Sequence, residues 1–153
     1  MSICIGVFGV PGVGKSTLLD AHVARQPLDH HIGGSCVVKT LIKPASVRDF
    51  DSWPLDRREA VRSESIRRLA LLRDAAPRCL FVSGHFTLRN RDTCVLERIL
   101  TETDNMFFDA LVLLDSTVEQ VIAHTASDCR TRHGQTTEEV SEHLDFERLV
   151  AAE

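Results

Sequence analysis

The apolar residues of this chain fall into short continuous runs separated by longer amphipathic stretches. A short run that is apolar almost throughout and ends at a glycine or a polar residue is typical of a strand buried on both faces. Three runs have this form: residues 3–8 (ICIGVF), 78–84 (RCLFVSG) and 108–116 (FDALVLLDS). We therefore predict three buried strands.

The amphipathic stretches carry apolar residues at the three- and four-residue spacing of a helix. Prolines and threonines mark several of their ends, since proline is favoured in a first helical turn and threonine caps an N-terminus. The predicted helices are residues 15–26, 54–76 and 92–103, one beginning at Thr117, and one capped by Thr136 or Thr137 and running toward Ala152.

Residues 27–53 are ambiguous. The segment GGSCVVKTLIK could be a second strand or a short helix, and PASVRDFDSW has the character of a loop. His30 and His31, next to Gly33 and Gly34, indicate a polar turn.

Strands that alternate with helices predict a parallel sheet with right-handed crossovers, and hence a three-layer α/β domain with helices on both faces. Ligands bind at the carboxyl ends of the strands in such sheets. Functional residues are therefore expected after Phe8, Val82 and Leu114. Residues 1–153 are expected to form a single domain.

The composition narrows the class of protein only a little. The 153 residues are 43% hydrophobic and 26% charged, with a formal net charge of −4, so nucleic acid is not expected as a partner. Five scattered cysteines without a C-x-x-C pair favour a reducing compartment. Neither a signal peptide nor a long apolar span is apparent, so we expect a cytoplasmic protein without a membrane partner.

The strongest motif is GVPGVGKST, which follows the first predicted strand and opens the first predicted helix. It fits G-x-x-x-x-G-K-[ST], a loop whose backbone N–H groups surround phosphate oxygens at the positive end of a helix. In this pattern Lys15 reaches the β- and γ-phosphates and the Ser16 hydroxyl ligates Mg²⁺. The sequence thus predicts ATP and Mg²⁺ as cofactors, held by Gly9, Val10, Pro11, Gly12, Val13, Gly14, Lys15, Ser16 and Thr17.

Several classes of phosphate-binding loop protein are disfavoured. The chain lacks the Asp-x-x-Gly and Asn-Lys-x-Asp motifs of a GTPase and the Leu-Ser-Gly-Gly-Gln motif of an ABC-type ATPase. A motor of the AAA+ kind would need a longer chain and a strand ending in Asp-Glu, whereas LVLLDS ends in Asp-Ser. A small kinase remains.

A kinase also needs cations that close over the transferred phosphoryl group. Arg130 and Arg132 are two residues apart in a glycine-containing segment before the last helix. We expect them to act from a short lid at about residues 126–137. The alternative is a solvated surface loop.

With these motifs the chain resembles the P-loop nucleoside monophosphate kinase-like family, most of all its archaeal-type adenylate kinases. The matching segments are GVPGVGKST, RDFDSWP, FVSGHFTL, FDALVLLDSTVEQVIAH, the two lid arginines and EHLDFERLVAAE. The resemblance implies that His85 contacts the acceptor phosphate; the alternative is a histidine turned into a loop.

Two departures from that family stand out. Ser83 replaces its acidic residue after the middle strand, which would orient Mg²⁺ or touch the acceptor. Asp115 is a substitute metal anchor, or it caps the following helix. The family also has a final strand after the lid helix; we expect it to be missing here, the alternative being that the natural chain continues past Glu153.

The first hypothesis is therefore a kinase that moves the γ-phosphoryl group of Mg-ATP to a small-molecule acceptor, a nucleotide or nucleoside-like compound. Lys15, His85, Arg130 and Arg132 would be its catalytic residues, and Ser16 and Asp115 its metal ligands. The alternative is a nucleotide-binding or slow NTPase module that regulates a partner. A 5′-hydroxyl polynucleotide kinase is a third possibility, disfavoured by the negative net charge. The sequence leaves the oligomeric state open.

Overall fold

A four-stranded parallel sheet forms the centre of the protein. The structure is a computed structural model, and it describes residues 2–90, 93–127 and 135–153. The order of the strands in this sheet is β2-β3-β1-β6, and β4 pairs with β5 in a separate antiparallel hairpin. The strands are β1 (Ile3–Phe8), β2 (Asp29–Gly33), β3 (Cys79–Gly84), β4 (Thr87–Arg89), β5 (Leu96–Arg98) and β6 (Ala110–Leu113).

Seven helices are present in the described residues. They are α1 (Lys15–Arg25), α2 (Gly34–Leu41), α3 (Val47–Asp51), α4 (Leu55–Ala75), α5 (Glu102–Phe107), α6 (Val118–Ser127) and α7 (Thr137–Ala151). Thr136 caps α7 in a capping box with Glu139. Across the described ranges, no helix combines the length and the apolar character that spanning a bilayer requires.

Helices cover both faces of the sheet, as predicted. On one face Phe81 of β3 packs edge-to-face against His22 of α1, with 5.0 Å between the ring centroids. The neighbouring residue Val82 points to the opposite face, where it joins a buried cluster with Val37 of α2 and Leu69 of α4. The α/β fold with a parallel sheet is therefore confirmed.

The apolar runs predicted the strands well. The first strand has the predicted bounds, the second begins one residue later at Cys79, and the third is shorter, Ala110–Leu113. The strand β3 lies directly beside β1, with Val7 opposite Ser83. Because both strands are parallel, the end of β3 adjoins the loop that follows β1.

The ambiguous segment contains one strand and two helices. The segment from Gly34 is the helix α2, which settles the open choice between strand and helix. The expectations of a polar turn and a loop were wrong. His30 and His31 lie in β2, and α3 forms because Ser46 and Asp49 make a capping box.

The helix predicted over residues 92–103 was wrong as well. In the described part of that segment, β5 pairs with β4, and α5 begins only after Thr101, whose side chain accepts a hydrogen bond from Asp104 N. Cys94 has a positive φ of 58°, which a helix interior does not allow. The helical spacing of the apolar residues was misleading, because the pairing of β4 with β5 overrides the weak local preference of this segment for a helix.

Candidate nucleotide-binding site

The loop between β1 and α1 has the backbone conformation that its glycines predict. Gly14, just before α1, has φ 99°, in the left-handed region that favours glycine. Gly9 lies so close to the end of β6 that a Cβ atom there would be 2.5 Å from the carbonyl oxygen of Leu114. The loop therefore requires glycine at both positions.

The side chain of Lys15 lies over this loop. Its Nζ donates hydrogen bonds to the carbonyl oxygens of Gly9, at 2.6 Å, and Val10, at 2.9 Å. The residue is 8% exposed, and its Nζ lies 3.4 Å from Nδ1 of His85. The first turn of α1 adds N–H groups that have no acceptor within the helix. The cation and the helix end together suit a polyphosphate.

A cavity of about 710 Å³ lies in front of the loop. Its described wall combines the loop and the start of α1 with the end of β3 and a few residues from other elements. These lining residues are Pro11, Gly12, Val13, Gly14, Lys15, Ser16, Thr17, Leu18, Ser35, Ser83, Gly84, His85, Leu114, His124 and Ser127. No carboxylate is among these described lining residues.

Two histidines from other segments of the chain contact carbonyl oxygens of the loop. Nδ1 of His85 lies 2.6 Å from the carbonyl oxygen of Gly9, and Nδ1 of His124 lies 3.2 Å from that of Gly12. The structure thus brings the predicted His85 to the same cavity as Lys15. The position of His124 in this cavity was missed, because nothing in a helix sequence indicates contact with a loop 112 residues away.

The Ser83 side chain is held by a chain of hydrogen bonds. Its Oγ lies 3.0 Å from Nε2 of His31, and Nδ1 of His31 lies 2.8 Å from a carboxylate oxygen of Asp20. In the sequence Ser83 stands out as a departure from a family pattern, but no sequence pattern connects it with His31 or Asp20. The three residues come from β3, β2 and α1, and only the sheet order places them together.

The structure places Asp115 in an ion pair outside the described cavity wall. Both of its carboxylate oxygens accept hydrogen bonds from Nε of Arg148 in α7, at 3.1 and 3.0 Å. These bonds, more than any other contact, lower the pKa of the carboxyl group. Its role as a metal anchor stays a prediction. The predicted lid residues Arg130 and Arg132 lie outside the described residues.

A smaller cavity of about 240 Å³ lies between α4 and the start of α5 and is lined in part by Arg62 and Thr101. Burial lowers the pKa of the Arg62 guanidinium, and the charge of Arg58 lowers it further. Arg58 forms a 3.2 Å ion pair with Glu97 of β5. Arg58 therefore stands against the hairpin, and neither arginine is among the described residues that line the large cavity.

The donors around the large cavity fit Mg-ATP. Lys15 and the start of α1 suit the phosphate charge, and Ser16 and Thr17 offer hydroxyl oxygens of the kind that a hard cation prefers. The fold and this loop are of the P-loop kinase type. The chain belongs to the family described as "AAA domain", whose sequence profile matches residues 8–144.

Solved structures support the same fold. A shikimate kinase from Bacteroides thetaiotaomicron has a TM-score of 0.62 at 16% identity, over 98% of this chain and 78% of that one. A chain of the Pnkp1/Rnl/Hen1 RNA repair complex has a TM-score of 0.63 at 13% identity; the match covers 99% of this chain but only 45% of that longer one. TT1252 from Thermus thermophilus has a TM-score of 0.56 at 20% identity, over 99% and 83% of the two chains.

No curated protein matches the chain in sequence. These likenesses are at low identity and establish the fold, which is that of a P-loop kinase. The narrower resemblance to archaeal-type adenylate kinases stays a prediction, and so does the absence of a motor function of the AAA+ kind.

Proposed function

We propose that this protein is a kinase that transfers the γ-phosphoryl group of Mg-ATP to a small-molecule acceptor of the nucleotide or nucleoside-like type. The observation that carries the proposal is the shared cavity: Lys15 of the phosphate-binding loop and Ser83 to His85 at the end of β3 line one space of about 710 Å³. This volume is in the range of cavities that hold small molecules and cofactors. The phosphate-binding loop and the residues that would face the acceptor therefore line the same space.

The residues of the site have distinct roles in this reaction. Lys15 exchanges its bonds to the carbonyl oxygens of Gly9 and Val10 for bonds to the β- and γ-phosphates of ATP. The start of α1 stabilises the same negative charge. The Ser16 hydroxyl would hold Mg²⁺, which would supply further positive charge against the phosphates. Asp115 would join Ser16 as a metal anchor only after releasing Arg148.

The remaining catalytic groups act on the transferred phosphoryl group. In this proposal Arg130 and Arg132 close over it from the lid and stabilise its charge in the transition state. His85, next to Lys15, lies where it can contact the acceptor. In this proposal the contacts of these residues strengthen as charge develops on the reacting groups in the transition state. They therefore lower the activation barrier of phosphoryl transfer and do more than tighten substrate binding.

The test is a turnover assay with Mg-ATP and a panel of acceptors: nucleoside monophosphates, nucleosides, sugars, hydroxy acids and a 5′-hydroxyl oligonucleotide. We expect one class of acceptor to be phosphorylated, with one ADP released per product. Lys15→Ala should abolish this activity, whereas the matched variant Lys39→Ala, at an exposed position of α2, should retain it.

Phosphorylation of no acceptor by the wild-type protein would overturn the kinase proposal. If ATP still bound and controlled the binding of a partner protein, the alternative of a nucleotide-binding or slow NTPase regulatory module would be favoured. Phosphorylation of the oligonucleotide alone would favour a polynucleotide kinase.

A further inference from the structure

We propose that Asp20, His31 and Ser83 form a proton relay that deprotonates the acceptor, and that the acceptor therefore attacks through a hydroxyl group. This inference rests on the proposed kinase function and specifies its substrate class. Near the end of β3, Ser83 stands where a carboxylate was expected, and the described cavity wall contains no carboxylate.

The sheet geometry brings the three residues together. In β2 and β3, His31 is paired with Phe81 and Gly33 with Ser83, so the side chains of His31 and Ser83 lie on one face of the sheet, two residues apart. Gly33, opposite Ser83, has no side chain to separate them. The helix α1 covers this face, and Asp20 lies one helical turn after Ser16.

The hydrogen bonds fix the direction in which a proton can move. The Asp20 carboxylate only accepts, so Nδ1 of His31 carries the hydrogen in the 2.8 Å contact. In the neutral ring, Nε2 is then an acceptor, and the Ser83 hydroxyl donates to it across 3.0 Å. The lone pairs of Ser83 Oγ are left to accept a hydrogen bond from a group in the cavity.

Burial distinguishes the relay from a surface cluster. The His31 side chain is 9% exposed, and Ser83 is 8% exposed but lines the cavity. The cavity therefore meets the relay through Ser83, while Asp20, with a 70% exposed side chain, connects it to solvent. A proton taken at Ser83 can leave the site through His31.

The acceptor hydroxyl oxygen forms a bond to the γ-phosphorus of ATP, the bond from that phosphorus to the β–γ bridging oxygen breaks, and ADP leaves. The proton of the acceptor hydroxyl moves to Ser83 Oγ as the serine proton moves to Nε2 of His31, and the Asp20 carboxylate stabilises the resulting imidazolium. A group of this kind contributes about 100- to 10,000-fold to a rate.

The relay also discriminates between acceptor classes. A phosphate monoester has a second pKa of about 6 and is mostly dianionic at neutral pH, so a nucleoside monophosphate needs no base to attack through its phosphate. A hydroxyl group must lose a proton during the reaction. A site with a built-in proton acceptor is therefore suited to a hydroxyl acceptor, such as a nucleoside-like or sugar-like alcohol.

The test compares variants in the turnover assay and in Mg-ATP binding by calorimetry. His31→Gln keeps a hydrogen-bonding amide near Ser83 but cannot take up a proton, and we expect it to lower kcat by about 100-fold or more with unchanged Mg-ATP affinity. The matched control is His30→Gln, at the exposed neighbouring position on the opposite face of β2, and it should behave as the wild type. Ser83→Asp in the His31→Gln background places a carboxylate at the cavity and should restore activity.

The outcomes separate this inference from the proposed function. If only nucleoside monophosphates are phosphorylated, or if His31→Gln retains full kcat, the kinase proposal stands and the relay is overturned. A stable phosphate on Ser83 in an intact-mass measurement would make the serine a nucleophile and would also overturn the relay. If no acceptor is phosphorylated at all, both proposals fail.

A second readout does not depend on activity. Long-range proton–nitrogen NMR correlations of the histidine rings, assigned by comparing the wild type with His31→Gln, report the tautomer of His31. The relay requires the hydrogen on Nδ1. A ring with its hydrogen on Nε2 would overturn the relay even in an active kinase.

Discussion

Asp29 is a buried carboxyl group whose ionisation is tied to the fold. It is buried at the start of β2, where its two carboxylate oxygens accept hydrogen bonds from Arg78 at 2.7 and 2.6 Å. Those bonds and the contact with His22 lower the pKa of the carboxyl group from 3.8 to about 2. The charged form is therefore favoured in the folded state, and protonation weakens the fold.

This shift predicts how stability depends on pH. Because the folded pKa is depressed, the stabilising contribution of Asp29 is complete above about pH 4 and is lost as the pH falls toward 2. Asp29→Asn should lower the free energy of unfolding at pH 7 by about 1–2 kcal/mol. We expect a loss of about 1 kcal/mol, because half of the Arg78 side chain is exposed and solvent screens the ion pair. Urea unfolding curves of wild type and variant at several pH values would measure this.

The control for this prediction is Asp74→Asn, whose carboxylate is mostly exposed beside Arg73. It should change the free energy of unfolding by less than about 0.5 kcal/mol at every pH. A difference between wild type and Asp29→Asn that stays constant down to pH 3 would contradict the assigned role of Asp29.

At the scale of elements, α7 is joined to the segment after β3 by one buried carboxylate. Glu147 is 1% exposed and accepts hydrogen bonds from the backbone N–H groups of Phe86 and Thr87, both at 2.9 Å, and from the Thr87 hydroxyl. His143 of the same helix lies against the Thr87 carbonyl oxygen at 3.3 Å. The end of β3 that carries His85 is thus positioned by α7.

Replacing this carboxylate should destabilise the protein well beyond an ordinary surface change. In Glu147→Gln the amide NH₂ group cannot accept, so a buried donor is left without a partner, and we expect a loss of about 2–4 kcal/mol in the free energy of unfolding. Glu138→Gln, at an exposed position in the first turn of α7, should cost less than about 1 kcal/mol. Chemical denaturation would measure both, and equal losses would show that the buried hydrogen bonds do not anchor α7.

At the scale of the whole molecule, the phosphate-binding loop is part of a hydrophobic core. Val10 and Val13 of the loop pack in a buried cluster with Val121 of α6 and with Val140 and Leu144 of α7. A ligand held by the loop therefore stabilises packing that extends over three elements. Binding to the folded state alone raises stability by mass action.

This coupling predicts a thermal shift. Mg-ATP at about 100 times its Kd should add about 2.7 kcal/mol, which for a chain of this length corresponds to a rise in Tm of about 5–10 °C. Lys15→Ala should show little or no shift at the same concentration, and Lys39→Ala should match the wild type. Scanning calorimetry with and without nucleotide would measure it, and equal shifts in Lys15→Ala would contradict the role of Lys15 in phosphate binding.

Local sequence determined those features whose physical cause is itself local. An apolar run that must be buried on both faces defines a central strand, so β1 and β3 could be predicted closely from residues 3–8 and 78–84. The glycines that permit positive φ, together with Lys15 at the start of a helix, define the phosphate-binding loop for the same reason. These features need no knowledge of distant residues.

Tertiary structure alone decided what depends on contacts between distant segments. Pairing with β4 made a strand of residues 96–98 where helical spacing predicted a helix, because the hairpin contacts outweigh a local preference. The strand order β2-β3-β1 placed His31 against Ser83, although 52 residues separate the two, and α1 brought Asp20 to His31. A single sequence carries no local signal for such a contact, since it arises from the register of parallel strands joined by long crossovers.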